Sequence, residues 1–368
     1  MKVFLCGDVM TGRGVDQILP DPCAPALHES FMKSAIGYVR LAEEANGAIP
    51  RPVDFGYIWG AALEEWRRAG PHARIVNLET SITRSEDFLP KGINYRMSPE
   101  NAACLAFAGI DCCALANNHV LDWGPAGLLD TLDALSRIGV KAAGAGRNRA
   151  EAMAPAILEI PGEGRALVLS MAFVTSGVPD DWAAKADAPG VNLLPSLDED
   201  VASAIARRLA PIRRPCDIVI ASIHWGANWG YEVSESERRF AHALIERAGV
   251  TIVHGHSSHH LRPMEILNDR LILYGCGDLL NDYEGIGGHD AYRGDLALMY
   301  FAEVDARSGA LRALDMTPLK IQRLRLARPS AGDVEWLWET LDHESAPFGV
   351  RVAQSGDGRL SASWSRRH

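Results

Sequence analysis

The sequence has no excess of positive charge. Its 37 Lys and Arg are set against 47 Asp and Glu, for a net charge of −10. Nucleic-acid binders displace counterions with a basic face, and no basic stripe is present. Arg207-Arg208 and Arg213-Arg214 flank a short helical stretch and read as a solvated face. Aromatic residues make up only 7% of the chain and are scattered, so no base-stacking platform is predicted. No apolar run approaches the roughly 18 residues of a membrane helix; the longest, Ala166 to Val174, reads as a strand. The N-terminal segment Met1 to Asp8 is too short in apolar residues for a signal peptide and also reads as a strand. The expectation is a cytoplasmic protein with neither nucleic acid nor membrane as partner. There is no Cys-x-x-Cys pair, and the cysteines number seven. Cys6, Cys104, Cys112, Cys113, Cys216 and Cys276 fall in strand-like runs and Cys23 in a loop. Buried reduced thiols are expected, not a disulfide frame or a zinc-thiolate site.

What is present is ordinary globular composition, 47% hydrophobic and 23% charged over 368 residues. Short apolar strands alternate with amphipathic helices, which predicts an α/β layered fold. Strands are expected at Val3–Cys6, Ala73–Leu78, Cys112–Ala116, Ala166–Val174, Asp217–Ile223, Thr251–His254, Leu271–Tyr274 and Leu296–Val304. Helices are expected at Phe31–Ala45, Ile58–Arg68, Pro125–Ile138, Leu197–Leu209 and Glu235–Ala248, with Gly139 and Gly249 closing two of them. No linker or repeat divides the chain. Residues 1–325 read as one domain with an insertion at about 16–60, and residues 326–368 as an appended helix and a hairpin around Gly356-Asp357-Gly358.

Strand after strand ends in a residue able to bind metal or move a proton. These ends are Gly7-Asp8, Asn77-Leu78-Glu79, Asn117-Asn118-His119, His224-Trp225-Gly226 and Gly255-His256-Ser257-Ser258-His259-His260. In an open α/β sheet the C-terminal strand ends form the ligand crevice. Asp, Glu, Asn and His without Cys suit an open catalytic metal site for one or two divalent ions of zinc, manganese, iron or calcium. Seven of the 12 histidines lie in the stretch from His224 to His289, both included. His28, His72, His242, His343 and His368 lack such a context and read as ordinary core or surface groups. His254 precedes the Gly-His pair within its strand and is expected to point elsewhere. His260, adjacent to His259, should not share its direction.

The order Gly-Asp, Asn-Leu-Glu, Asn-Asn-His, His-Trp-Gly, Gly-His-x-x-His resembles the CapA family of capsule and poly-γ-glutamate synthesis, as does Leu273 to Gly285. That family is similar to the calcineurin-like metallophosphoesterases. The resemblance covers about Val3 to Asp305. It implies a four-layer α/β/β/α sandwich, two sheets face to face with helices outside. It also implies Asp8, Glu79, Asn118, His119, His224, His256 and His259 as metal and site residues. The chain departs from metallophosphoesterases in three places. Asp8 is followed by Val9-Met10 where Asp-x-His would hold a metal, Asn77-Leu78-Glu79 replaces a Gly-Asp motif, and the final Gly-His-x-His is lengthened. One of two metal positions is therefore expected to be weak or absent.

A single metal beside a free Asp8 suits proton transfer. His289, after Gly287-Gly288, would lie on a mobile loop over the substrate. Asp8 and His289 are thus the expected catalytic pair for Cα epimerisation of a residue in a peptide substrate, as in the soluble lasso-peptide epimerases that the chain resembles. Trp225, Trp229 and Tyr231, close behind His224, are expected to line the peptide groove. The alternatives are a metal-dependent phosphoester hydrolase and a non-catalytic accessory protein of capsule or poly-γ-glutamate synthesis. Two metals would favour hydrolysis, and one metal near a free Asp8 would favour epimerisation.

Overall fold

The alternation of apolar and amphipathic segments becomes two large β-sheets with flanking helices in the computed structural model, which describes residues 1–365. His368 and the end of the 326–368 segment lie outside the described residues. The first sheet has eleven strands. Its central path runs Asp278–Leu280, Asp8–Val9, Ala73–Leu78, Lys2–Leu5, Leu296–Val304 and Leu311–Ile321, then the C-terminal hairpin strands Leu360–Trp364 and Val350–Gln354. Cys112–Ala114 and Lys141–Ala143 extend it beside Ala73–Leu78. The second sheet has six strands, ordered Met264–Leu267, Arg270–Leu273, Ile252–His256, Ile218–His224, Gly164–Ala172 and Ala156–Ile160.

Side chains alternate across a strand, so each sheet offers two faces. Val3, Leu5 and Ile75 of the first sheet join Val168, Ile220 and Ile252 of the second in one apolar cluster between the sheets. On the other face of the first sheet, Val76 and Leu78 meet Leu128 and Leu135 of the helix Gly124–Arg137. On the other face of the second, Leu167, Val219 and Val253 meet Ile205, Phe240 and Leu244 of the helices Glu199–Leu209 and Glu235–Ala248. Glu235–Ala248 begins with a Ser234–Glu237 capping box and is followed by Gly249 at φ 64°, a left-handed conformation that favours glycine.

The face that carries Ile218 and Ile220 into the inter-sheet core carries Ser222 and His224 farther along the same strand. Ile252, His254 and His256 follow the same rule. The candidate site residues therefore sit where the apolar core turns polar, at the C-terminal ends of parallel strands. His254 consequently shares a face with His256, which corrects the expectation that it points elsewhere: residues two apart lie on one side of a strand.

The strand Leu311–Ile321 was not expected. Pro318 interrupts its sequence, and its apolar positions do not alternate cleanly. It is nevertheless paired along the whole of Leu296–Val304, with Pro318 opposite Leu298. Within the insertion at 16–60, the structure places a helix at Ile36–Asn46. A helix at Ala331–Ser345 precedes the C-terminal hairpin. The seven cysteines are unbridged, and six are buried; Cys216 is exposed in a loop, not in the strand expected for it.

Candidate metal centre

His224 and His256 face each other across adjacent parallel strands, directly in register. Their protonation follows from their partners. The Cys6 carbonyl can only accept, so His254 Nε2–H donates to it at 2.6 Å. His254 Nδ1 is then bare and accepts the Ser222 hydroxyl at 3.1 Å. Ser222 Oγ in turn accepts His256 Nε2–H at 2.8 Å, leaving His256 Nδ1 bare. His224 Nε2–H donates to Asn118 Oδ1 at 3.1 Å, leaving its own Nδ1 bare. The two bare Nδ1 atoms stand 2.8 Å apart, with Asp8 Oδ1 3.9 Å from that of His256. Burial, chiefly, pushes both imidazoles well below their ordinary pKa, so neither is charged. Two lone pairs and a carboxylate converging in this way repel each other unless a cation lies among them.

Asp8 is shared with a second group. Asp8, His224 and His256 offer donor atoms within 4.8 Å of one another, and so do Asp8, His259 and Asp278. Asp278 is placed by register: its short strand pairs in parallel with Asp8–Val9, Asp278 opposite Asp8, before the register shifts to set Leu280 opposite Val9. His259 Nδ1 lies 3.0 Å from Asp278 Oδ1, and Asn281 Nδ2 donates to Asp278 Oδ2 at 2.7 Å. Asp8 itself accepts Asn77 Nδ2 at 2.7 Å and the Ser257 N–H at 3.2 Å. Burial first, and then the nearby Asp278 charge, raise its carboxyl to about 6. Burial followed by the Asp8 charge raises Glu79 far above the carboxylate range. Glu79 Oε2 is buried without a hydrogen-bond partner, an expensive state for a carboxyl oxygen. For His259, burial acts to lower the pKa, but the Asp278 charge and hydrogen bond outweigh it and raise the value. The set contains nitrogen and oxygen donors only, partly deprived of partners, and so fits one or two divalent ions.

His119 stands beside these groups. Its Nδ1–H donates to Asp122 at 2.7 Å, and its Nε2 faces Glu79 Oε1 at 3.7 Å. Burial pushes its pKa down to about 4. Lys91 pairs with Asp122 at 2.7 Å and donates to the Asn118 carbonyl. Behind lies the buried Arg13. It bonds Asp282 at 2.8 Å and Glu29 at 3.0 Å, with its guanidinium 3.6 Å from the Tyr38 ring centre and 4.4 Å from that of Tyr95. Tyr95 rests edge-on against His119 and bonds Tyr283, whose ring lies against His259. Arg13 thus ties the insertion, through Glu29 and Tyr38, to the site.

Of the residues expected at the site, Asp8, His224, His256 and His259 belong to the two donor groups. Glu79 faces Asp8, Asn118 orients His224, and His119 is held by Asp122. Asp278 and Lys91 were missed. With His259, Asp278 gives Asp8 a second set of neighbouring donor atoms. Asp8 is not the free base expected, because both of its oxygens are engaged. His289 is exposed and stacks on Trp229, ring centres 4.1 Å apart. Trp225 does not line a groove. It is wholly buried against the outer helices, and its Nε1–H donates to the Tyr274 carbonyl at 3.0 Å. Trp229 and Tyr231 do lie near the site, in an aromatic cluster with His259, His260 and Tyr292. His260 is turned to the Gly230 N–H and the Leu261 carbonyl, away from the donor groups.

Residues 2–283 match the sequence model of the bacterial capsule synthesis protein PGA_cap family. The chain belongs to that family. The matched span holds every residue of both donor groups, and His289 lies beyond it. This PGA_cap protein is 48% identical over 362 residues to the "Probable polyglutamine synthesis accessory protein" of Mycobacterium tuberculosis (strain CDC 1551 / Oshkosh), covering 98% of this chain and 95% of the relative. It is 27% identical to the "PGA biosynthesis protein CapA" of Bacillus subtilis (strain 168), over 56% of this chain and 52% of the relative. With the "Capsule biosynthesis protein CapA" of Bacillus anthracis it shares 25% identity over 63% of this chain and 53% of the relative. The expected CapA resemblance is borne out. The peptide-epimerase expectation has no support among these relatives. No helix among the described residues is long and apolar enough to cross a membrane.

Proposed function

We propose that this PGA_cap protein is an accessory protein of glutamine- or glutamate-polymer synthesis, and that it hydrolyses a phosphoester at a two-cation centre built on Asp8. The observation that carries the chemistry is the sharing of Asp8 between two donor groups, since a pair of ions is what in-line phosphoryl displacement exploits. The accessory role is supported by the near full-length relative. The two packed sheets with the site at their strand ends support a metallophosphatase-type sandwich as the finer reading of the fold.

Asp8, His224 and His256 would hold one ion and Asp8, His259 and Asp278 the other, with Glu79 supplying its spare oxygen. Three imidazoles among the donors favour zinc, manganese or iron over calcium. Bound ions of this kind would polarise a phosphoryl oxygen and acidify a water molecule. The chain's own residues do the rest. Asp122 holds the Nδ1–H of His119, which leaves Nε2 to take up a proton and pass it to the leaving oxygen. Lys91, bonded to Asp122 and to the Asn118 carbonyl, would tie His119 and Asn118 together beside the ions.

The test is turnover of aryl phosphomonoesters and phosphodiesters by protein reconstituted with manganese or zinc. Metal-dependent hydrolysis that Asp278→Asn abolishes is expected. Metal-loaded protein that cleaves no phosphoester would overturn the hydrolase reading and favour a non-catalytic accessory role.

Metal binding should also depend on pH in one direction. Asp8, Glu79 and His259 all have raised pKa values, Asp8 at about 6, and each must lose its proton to act as a ligand. Affinity should therefore rise with pH across about pH 6–8, with release of protons on binding. Calorimetry in buffers of different ionisation enthalpy reads that release; a flat profile would contradict the proposed ligand set.

A further inference from the structure

The end of the second sheet opposite the metal centre carries a cavity of about 280 Å³. It is bounded by the loops that lead into the strands Ile218–His224 and Ile252–His256 and by the turns at Asn268 and Ser308. Arg213, Arg214, Arg270 and Arg307 all line it, in a chain whose net charge is −10. Among the described residues, none of these four guanidiniums forms a salt bridge, whereas the nearby Arg165 is paired with Asp217 at 2.6 Å. Asp217 itself lines the cavity and accepts the Arg214 N–H, and the other carboxylates at hand are Glu246 on the wall, Asp269 beside Arg270, and Asp305, which accepts the Arg307 N–H at 3.0 Å and pairs with Arg312.

Two of the arginines are set in place by the backbone. Arg213 Nη1 donates to the Ala248 carbonyl at 3.3 Å, and Arg270 Nη2 to the Ser308 carbonyl at 2.6 Å. Each is seated against a left-handed glycine. A Cβ on Gly249 would fall 2.3 Å from Arg213 Nη1, and one on Gly309 would fall 3.2 Å from Arg270 Cζ. For Arg270, burial lowers the pKa, Asp269 opposes this, and the charge of Arg213 adds to the lowering. Arg270 is partly buried and the other three are exposed at the cavity mouth; cations gathered in a concave place are stabilised by an anion, and guanidinium forks match carboxylate and phosphate oxygens.

We infer that this cavity binds an oxyanion, in the form of the carboxylates of a glutamate polymer. The choice of polymer rests on the proposed role in polymer synthesis; the anion site itself does not. The two ends of the second sheet would then divide the work, with phosphoester chemistry at one end and a grip on the polyanion at the other.

The test is titration of metal-loaded protein with short oligo-glutamate and, separately, with inorganic phosphate at low ionic strength. Oligo-glutamate should bind, bind more weakly as salt rises, and lose at least about tenfold in affinity in Arg213→Gln/Arg270→Gln. Arg307→Gln, on an exposed turn, supplies a milder variant should the double one fold poorly. Phosphate that displaces oligo-glutamate at the same arginines supports the oxyanion site with broad choice, and oligo-glutamate that phosphate does not displace supports the polymer. Affinity unchanged in both variants, or no binding of either probe, would overturn the inference. Asp8→Asn should bind oligo-glutamate as the native protein does, so failure of the metal-centre reading leaves this result readable.

Discussion

Asp8→Asn empties both donor groups at once. Metal content is expected to fall from about two ions per chain to near none, and phosphoester turnover on the order of 10³-fold or more. The reason is that Asp8 belongs to both groups, whereas His224 or Asp278 belongs to one. The amide keeps the shape of the carboxylate and can still accept from Asn77. Its NH₂, however, would meet the Ser257 N–H that Asp8 Oδ2 now accepts. A modest loss of stability, about 1–3 kcal/mol for the unpaired donors, is expected as well. Elemental analysis beside a denaturation curve separates the two effects. Full metal content in a folded Asp8→Asn protein would rule out the shared carboxylate.

Arg13→Met should cost about 3–5 kcal/mol, because it leaves buried carboxylates without their cation. Arg13 is 3% exposed, and the Asp282 and Glu29 side chains 0% and 1%. Methionine replaces the stem but not the charge between Tyr38 and Tyr95. A second substitution, Asp282→Asn, should recover part of the loss, since the two residues form one unit. Metal affinity should drop too, by about 10–100-fold, as it does when outer partners of a metal site are removed. The route is short: Asp282 follows Asn281, which orients Asp278. Urea denaturation of the single and double variants measures the coupling. Equal stability of Arg13→Met and the native protein would show that the cluster is not the anchor of the insertion.

Much of the fold was legible because local pattern and final structure agree. The strands Ala73–Leu78 and Leu296–Val304 and the helix Glu235–Ala248 have the expected bounds. In these segments period, propensity and caps all point the same way. The strand Leu311–Ile321 was hidden because Pro318 breaks the local signal, while its pairing to Leu296–Val304 is long-range. The same division applies to the site. Strand-end His224 and His256 stand out locally. Asp278 gains its place only from the pairing of its strand with that of Asp8, which no local pattern encodes. Trp225 was misplaced although the signal existed: the alternation that turns His224 into the site turns the next residue to the opposite face. His289 looked poised because two glycines precede it, but a permissive backbone does not say what the side chain will meet. It meets Trp229.

The central claim joins the Asp8 centre to polymer synthesis, and polymer content in cells tests it most directly. Cells lacking the protein would be supplied either with the native chain or with Asp8→Asn at equal protein level, and the glutamine- or glutamate-type polymer in the envelope or medium would then be weighed. The account predicts that the native chain restores the polymer and that Asp8→Asn does not. Full restoration by a metal-free Asp8→Asn protein would contradict it.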